Sequence, residues 1–122
     1  MGALTGELMT DRTPSLAARF RGFMPVVVDV ETGGFNPRTD ALLEIAAVLI
    51  DIDEDGRLQP GRYHHYHVDP FEGANIEQSA LDFTGIDPDN PLRGAVPESE
   101  AINGIFDAVR HAMRHYSCNR AV

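Results

Sequence analysis

The sequence lacks the hallmarks of secreted and membrane proteins. It contains 1 cysteine, Cys118, which excludes an intramolecular disulfide and gives no support for an oxidising compartment. Its amino-terminal segment carries charged residues and no sustained apolar run, so it fits neither a secretory signal nor a membrane-spanning helix. We therefore expect a cytoplasmic protein with no membrane partner.

Repeats and low-complexity tracts are also absent, and the chain is short. With 122 residues it can bury one hydrophobic core but has little left for a second. We expect residues 1–18 to form a mobile extension and residues 19–122 to belong to a single domain.

Basic residues are scarce: 10 Lys and Arg against 19 Asp and Glu give a net charge of −9. Such a balance ordinarily argues against a nucleic-acid partner, because phosphate binding relies on Lys and Arg. Cations bound to clustered carboxylates would reverse the local field, however, so total charge alone does not exclude this partner. Arg19 and Arg21 alternate with Phe20 and Phe23. That pattern suits phosphate contact and base stacking, but also a linker whose phenylalanines pack on the domain.

Three segments have the composition of β-strands. Residues 25–31 are rich in valine and end at a glycine turn, which predicts a short strand in the centre of a sheet. Residues 42–50 are almost continuously apolar and fit a helix or a buried strand. The turn signal Asp55-Gly56 before the alternating residues 62–69 favours a strand, and hence an antiparallel meander of three strands.

Two segments fit helices. A capping box at Asn75 and Gln78 and a left-handed stop at Gly85 predict a short helix over residues 76–84. Pro97 can open a longer helix, which has apolar residues at helical spacing and charges that suit both ends. Residues 118–122 then turn apolar, which predicts the start of another strand. The pattern indicates an α/β domain that is cut short.

Asp29 and Glu31 are two apart in the first predicted strand, so their carboxylates point to the same face. Two adjacent carboxylates in an apolar strand repel each other unless cations or hydrogen bonds compensate. Mg²⁺ takes oxygen ligands of this kind. The spacing fits equally an ordinary strand with its valines inward and both carboxylates in solvent.

A longer string around this pair resembles a known family. Residues 28–35 (VDVETGGF) are similar to the first motif of the DEDD, or DnaQ-like, superfamily of 3′-to-5′ exonucleases, in which Asp-x-Glu binds two metal ions. The similarity to the ribonuclease T family of its DEDDh branch continues in order through residues 19–23 (RFRGF), 40–47 (DALLEIAA), 70–75 (PFEGAN), 83–88 (FTGIDP) and 118–121 (CNRA). It implies a ribonuclease H-like mixed sheet.

The resemblance also implies a function. Asp29 and Glu31 would hold two Mg²⁺ ions, for which Mn²⁺ can substitute, and the enzyme would trim single-stranded 3′ ends of RNA and DNA to nucleoside 5′-monophosphates. The RNA substrates would be precursors of transfer and ribosomal RNA. Phe35 and Phe83 would stack on the terminal bases, whereas without the resemblance core packing is the better explanation for each. Arg19 and Arg21 match a basic patch that feeds substrate to the partner subunit of a homodimer.

A complete site of this family needs two further aspartates and a histidine base, which we expect beyond Val122. The five histidines of this chain match no such base, so we expect the 122 residues alone to be inactive. Two other functions stay open. If 122 residues are the whole protein, the chain can be a non-catalytic module that binds single strands or dimerises. It can also be a proofreading subunit of a DNA polymerase, which shares the first motif but not the RFRGF and FTGIDP segments.

Two other metal sites are weakly indicated. Residues 51–56 copy the opening of a calcium-binding loop, but Arg62 occupies the position that needs a bidentate glutamate. His111 and His115 are four apart on the long predicted helix and could bind zinc, although no third ligand is near them in the sequence. Cationic residues are in any case expected at a helix carboxyl end.

Overall fold

Two β-sheets and three α-helices make up residues 15–122, the part of the chain that the computed structural model describes. The helices are α1 (Leu16–Arg19), α2 (Gln78–Thr84) and α3 (Glu98–His115), and a 3₁₀ turn covers Pro91–Arg93. The strands are β1 (Phe23–Met24), β2 (Val26–Thr32), β3 (Leu42–Ile52), β4 (Leu58–Asp69), β5 (Val96–Pro97) and β6 (Arg120–Ala121).

The larger sheet has the order β2-β3-β4-β5, with the first three strands antiparallel and β5 parallel to β4. The predicted α/β class, the antiparallel meander and both helices are therefore confirmed. At the hairpin between β3 and β4, Gly56 adopts a φ of 81°, as the predicted Asp-Gly turn requires.

The position of β2 differs from the prediction. Within the described residues β2 is an edge strand of the larger sheet, not a central one. The predicted last strand exists as β6, which pairs in parallel with β1. The residue after β6 also contacts the start of β2: the amide of Val26 donates a hydrogen bond to the carbonyl of Val122 over 2.9 Å.

The core lies between α3 and one face of the larger sheet. Along β3 every second residue is buried, which gives this strand a buried face and a half-buried one. The buried face packs against the apolar stripe of α3, formed by Ala101, Ile105, Val109 and Ala112. We call the side of the sheet that α3 covers the helix-covered face and the other side the open face.

The boundary of the amino-terminal extension is corrected in part. Leu16 is 1% exposed and joins the core, and the Ser15 hydroxyl accepts a hydrogen bond from the amide of Ala18 at the start of α1. Residues 15–18 therefore pack on the domain, because the free energy gained by burying the Leu16 side chain exceeds the conformational entropy lost when this short segment is ordered. The rest of the predicted extension, residues 1–14, lies outside the described residues.

The predicted carboxyl end of α2 is confirmed, whereas its predicted amino end is not. Gly85 ends α2 in the left-handed conformation, as predicted, with a φ of 74°. The predicted capping box at Asn75 is wrong: Glu77 occupies the N-cap position of α2 without a side-chain capping hydrogen bond, and the Asn75 side chain donates to Asp40 and Glu77. None of the described helices is both long and apolar enough to cross a bilayer.

Candidate active site

Asp29 and Glu31 lie on the open face of β2. The pairing of β2 with β3 is regular from Val26 to Glu31, and the register shifts only after Glu31. Because side chains alternate along a regular strand, both carboxylates point away from α3, while Val26 and Val28 face Ile105 and Val109 of that helix. The spacing prediction of two carboxylates on one face thus agrees with the backbone.

The two carboxylates suit a hard cation. Asp29 is exposed and Glu31 half-buried. Across residues 15–122 neither carboxylate takes part in a side-chain hydrogen bond or an ion pair. Anionic oxygens that are free of protein partners are the ligands that Mg²⁺ uses. The donor set therefore fits this ion, although two carboxylates fill only part of a metal's coordination shell.

A groove of about 520 Å³ opens beside Glu31 at the end of β2. Phe35, in the turn after β2, and Phe83, on α2, line this groove together with Glu31. Their side chains are 105% and 90% exposed, so neither phenylalanine packs in the core. The structure thus brings three of the predicted site residues to one surface depression, and Asp29 lies two residues back on the same face.

The groove is held open by contacts between two distant segments. The amide of Ala41 donates to the carbonyl of Asn75 over 3.0 Å, and the amide of Glu77 donates to the carbonyl of Gly33 over 2.7 Å. A side chain at Gly33 would meet the Asn75 carbonyl at 2.9 Å, so only glycine permits this approach. These contacts fix the turn that carries Phe35 against the helix that carries Phe83.

Arg19 and Arg21 lie away from the groove. They are exposed residues at the end of α1 and in the turn before β1, and neither lines the groove. The structure therefore does not bring these arginines to the carboxylates of the same chain.

Comparison with known proteins identifies the family. The family model RNase_T, described as exonuclease, matches residues 26–122. This chain belongs to the RNase_T exonuclease family. The match begins with β2, so it includes both carboxylates and the whole groove. The α/β architecture with a mixed sheet fits the ribonuclease H-like fold expected of an exonuclease domain.

Several curated proteins named ribonuclease T are similar to this RNase_T chain. That of Photorhabdus laumondii is 62% identical over 107 residues, which are 88% of this chain and 49% of the relative. That of Marinobacter nauticus is 64% identical over 107 residues, 88% of this chain and 48% of the relative. That of Yersinia enterocolitica is 60% identical over 108 residues, which are 88% of this chain and 50% of the relative. The chain thus spans about half the length of the curated relatives it matches.

Sequence reasoning missed one polar cluster of this RNase_T chain. Glu44, His65 and His67 have potential ligand atoms within 4.8 Å of one another, the only such trio found among residues 15–122. A signal was present, since His65 and His67 are two apart in a predicted strand. Placing Glu44 beside them, however, required the register between β3 and β4.

The two weaker metal predictions gain no support from the described residues. Within the calcium-like segment, the Asp53 carboxylate accepts hydrogen bonds from the amides of Asp55 and Arg57, as part of the hairpin turn. His111 and His115 lie exposed on α3, and neither belongs to a potential ligand trio in residues 15–122.

Asp40 stabilises the groove and provides a pH-dependent test of its structure. Its carboxylate accepts hydrogen bonds from the amide of Asn36 and from the side chains of Asn75 and Thr39, each over 2.9 Å. The bond from Asn36, followed by those from Asn75 and Thr39, holds the pKa of Asp40 below its ordinary value of 3.8. A lowered pKa means that this contribution is complete above the unfolded value and is lost as pH falls through the folded pKa.

We therefore expect the turn of residues 36–40 to loosen only below pH 3.8. The amide resonance of Asn36, followed by NMR against pH, is expected to titrate with a midpoint below this value. In Asp40→Asn the same resonance should show no such transition. A midpoint at or above the ordinary value would contradict the hydrogen-bond assignment.

Proposed function

We propose that the whole protein is a metal-dependent 3′-to-5′ exonuclease that trims single-stranded ends of RNA and DNA and releases nucleoside 5′-monophosphates. The observation that carries the proposal is the convergence of Glu31, Phe35 and Phe83 on one groove, with Asp29 beside it on the open face. Among RNA substrates, the tails of transfer and ribosomal RNA precursors are single strands of this kind. A single buried cysteine agrees with a cytoplasmic enzyme.

In this function Asp29 and Glu31 hold the cations. Mg²⁺ is the physiological choice for carboxylate oxygens, and Mn²⁺, which accepts the same ligands, substitutes. Held by these residues, a pair of such ions would supply activation of the attacking water and charge stabilisation at the leaving 3′-oxygen. Within residues 15–122, the groove lining contains three carboxylates, Glu31, Asp40 and Glu77, and no arginine. A phosphodiester therefore needs bound cations to approach it, which makes metal a requirement for binding as well as for hydrolysis.

Phe35 and Phe83 hold the last bases. Their exposed rings offer flat apolar surfaces within the groove. Stacking on such rings tolerates any base and contributes about 1–3 kcal/mol per base. This supports a substrate that is single-stranded at its 3′ end, since paired bases are not free to stack on protein.

Arg19 and Arg21 act in a homodimer. Because neither arginine lines the groove of its own chain, we assign their contribution to a strand bound by a second subunit. We place them at the phosphates of a substrate whose 3′ end occupies the partner's groove. Arg120, whose guanidinium lies 5.9 Å from the ring centre of Phe23, adds a further cation near this patch.

The test uses the full-length protein and a single-stranded RNA labelled at its 5′ end. We expect a ladder of products shortened from the 3′ end, in Mg²⁺ or Mn²⁺ and not in a chelator. The same RNA with its 3′ end in a duplex is expected to be spared. Tight binding that needs no metal and produces no shortening would favour the non-catalytic module instead.

A further inference from the structure

A second potential metal site lies on the open face, on the two strands next to β2. Glu44 on β3 pairs directly with His67 on β4, and Ala46 pairs with His65. Directly paired residues of antiparallel strands point to the same face, and so do residues two apart. The register therefore places the carboxylate and both imidazoles together, opposite the face that α3 covers.

The distances among the three side chains are close to those of a metal-ligand set. Nδ1 of His67 is 2.9 Å from Oε1 of Glu44, and Nε2 of His65 is 3.8 Å from Oε2 of the same carboxylate. The ring centroids of the two histidines are 4.7 Å apart. Ligands at about 2.0–2.2 Å from a tetrahedral zinc ion are roughly 3.3 Å from each other. The two nitrogen–oxygen separations bracket this value, and the three potential ligand atoms all lie within 4.8 Å of one another, so rotation of the side chains brings them within reach of one ion.

The Nδ1 atom of His67 lacks the hydrogen bond that a purely structural cluster would provide. It is shielded from solvent and has no hydrogen-bond partner in the described part of the chain, although the Glu44 oxygen is near. The two atoms are close but not aligned for an N–H to donate. A buried ring nitrogen without a partner is costly, and a cation between it and the carboxylate removes that cost.

The neighbouring strand adds negative charge. Glu31 pairs directly with Glu44, so the two carboxylates face each other across β2 and β3. Like charges directly opposite each other destabilise a sheet. No arginine takes part in an ion pair with either glutamate in residues 15–122. A cation at Glu44 would offset this repulsion.

We propose that Glu44, His65 and His67 bind one divalent transition-metal ion, with Zn²⁺ as the probe. Imidazole nitrogen suits zinc and other later first-row ions, whereas Mg²⁺ prefers oxygen alone. Three protein ligands with an open position are typical of zinc sites that keep a water or an exchangeable ligand. This site is separate in ligand chemistry from the carboxylate pair of Asp29 and Glu31, and it does not depend on the proposed exonuclease function.

The experiment measures zinc binding to the full-length protein without nucleic acid. Excess Mg²⁺ occupies oxygen-only sites while Zn²⁺ is titrated in competition with a chromophoric chelator. We expect one zinc ion per chain, and X-ray absorption of that complex should show two imidazole nitrogens in its coordination shell. Glu44→Gln preserves volume and removes the anionic ligand. It is expected to weaken binding by at least about 100-fold, since losing even an outer-shell partner costs 10–100-fold.

Two double variants provide the comparison. His65→Asn/His67→Gln is expected to lose the zinc ion, whereas His111→Asn/His115→Asn, which removes the exposed pair on α3, should retain it. Circular dichroism checks that each variant is folded. If His65→Asn/His67→Gln is not folded, the single Glu44→Gln variant provides the comparison instead. Zinc binding that survives Glu44→Gln undiminished, or that is lost only with the α3 histidines, would overturn the proposal. So would an absorption spectrum that shows oxygen ligands alone. A failed exonuclease assay would leave it unaffected, because this readout is metal stoichiometry.

Discussion

Asp29→Asn is expected to reduce Mg²⁺-dependent trimming by the full-length protein by about 10³-fold, which corresponds to about 4 kcal/mol at 1.36 kcal/mol per tenfold. The substitution keeps the size of the side chain and removes the negative oxygen that we propose as the cation's ligand. Because the proposed cations would act on the attacking and leaving oxygens and also help to bind the substrate, kcat should fall and kcat/KM should fall further. Single-turnover rates on a labelled single-stranded RNA, measured at saturating Mg²⁺, would show it.

A matched control distinguishes this loss from a general effect of charge. Asp107 is another exposed aspartate, on α3, where its only described partner is Arg110 one turn along the helix. Asp107→Asn should leave trimming unchanged, since an exposed pair of this kind contributes little. Asp29→Asn should also retain the melting temperature of the parent, because its carboxylate is exposed. Trimming by Asp29→Asn at the parental rate would show that the metal assignment is wrong.

Local patterns were enough to predict the parts of the fold that depend on local physics. The valine-rich strand, the Asp-Gly hairpin and the amphipathic helix each follow from residue type and periodicity. The same alternation placed Asp29 and Glu31 on one face, and the register of β2 agrees with it. What the carboxylates bind did not follow from spacing, which fits a solvent-facing strand equally well. That step rests on the resemblance, and on the family match over residues 26–122.

Features that depend on distant pairing could not be predicted from local patterns. Asn75 has the spacing of a capping residue, yet its side chain donates to Asp40, 35 residues earlier, and to Glu77. That tertiary contact competes with the local cap and shapes the groove. Leu16 offers a similar case, since one leucine in a polar segment shows no periodicity, and only the assembled core provides its burial. The trio of Glu44, His65 and His67 likewise exists only in one register of β3 and β4.

The second large effect is expected from replacing the two phenylalanines of the groove. Both side chains are exposed, so their loss should not destabilise the fold and obscure the effect on substrate binding. Phe35→Ala/Phe83→Ala is expected to raise KM for a single-stranded RNA by about 100-fold or more. Each lost stacking contact costs about 1–3 kcal/mol, and every 1.36 kcal/mol is a factor of ten. The chemical step should be less affected, since stacking binds the substrate in the ground state as well as in the transition state. Steady-state kinetics on the full-length protein separate the two parameters.

Phe71 provides the control for this double variant, because it is also an exposed phenylalanine but lies in the loop after β4, outside the groove. Phe71→Ala should leave KM unchanged, and Phe35→Trp should retain most of the affinity, because indole also stacks on bases. The two single variants need not sum to the double one, since side chains that share a groove are energetically coupled. An unchanged KM in the double variant would mean that the bases bind elsewhere. A large fall in kcat with KM unchanged would instead assign the phenylalanines to positioning the scissile phosphate relative to Glu31.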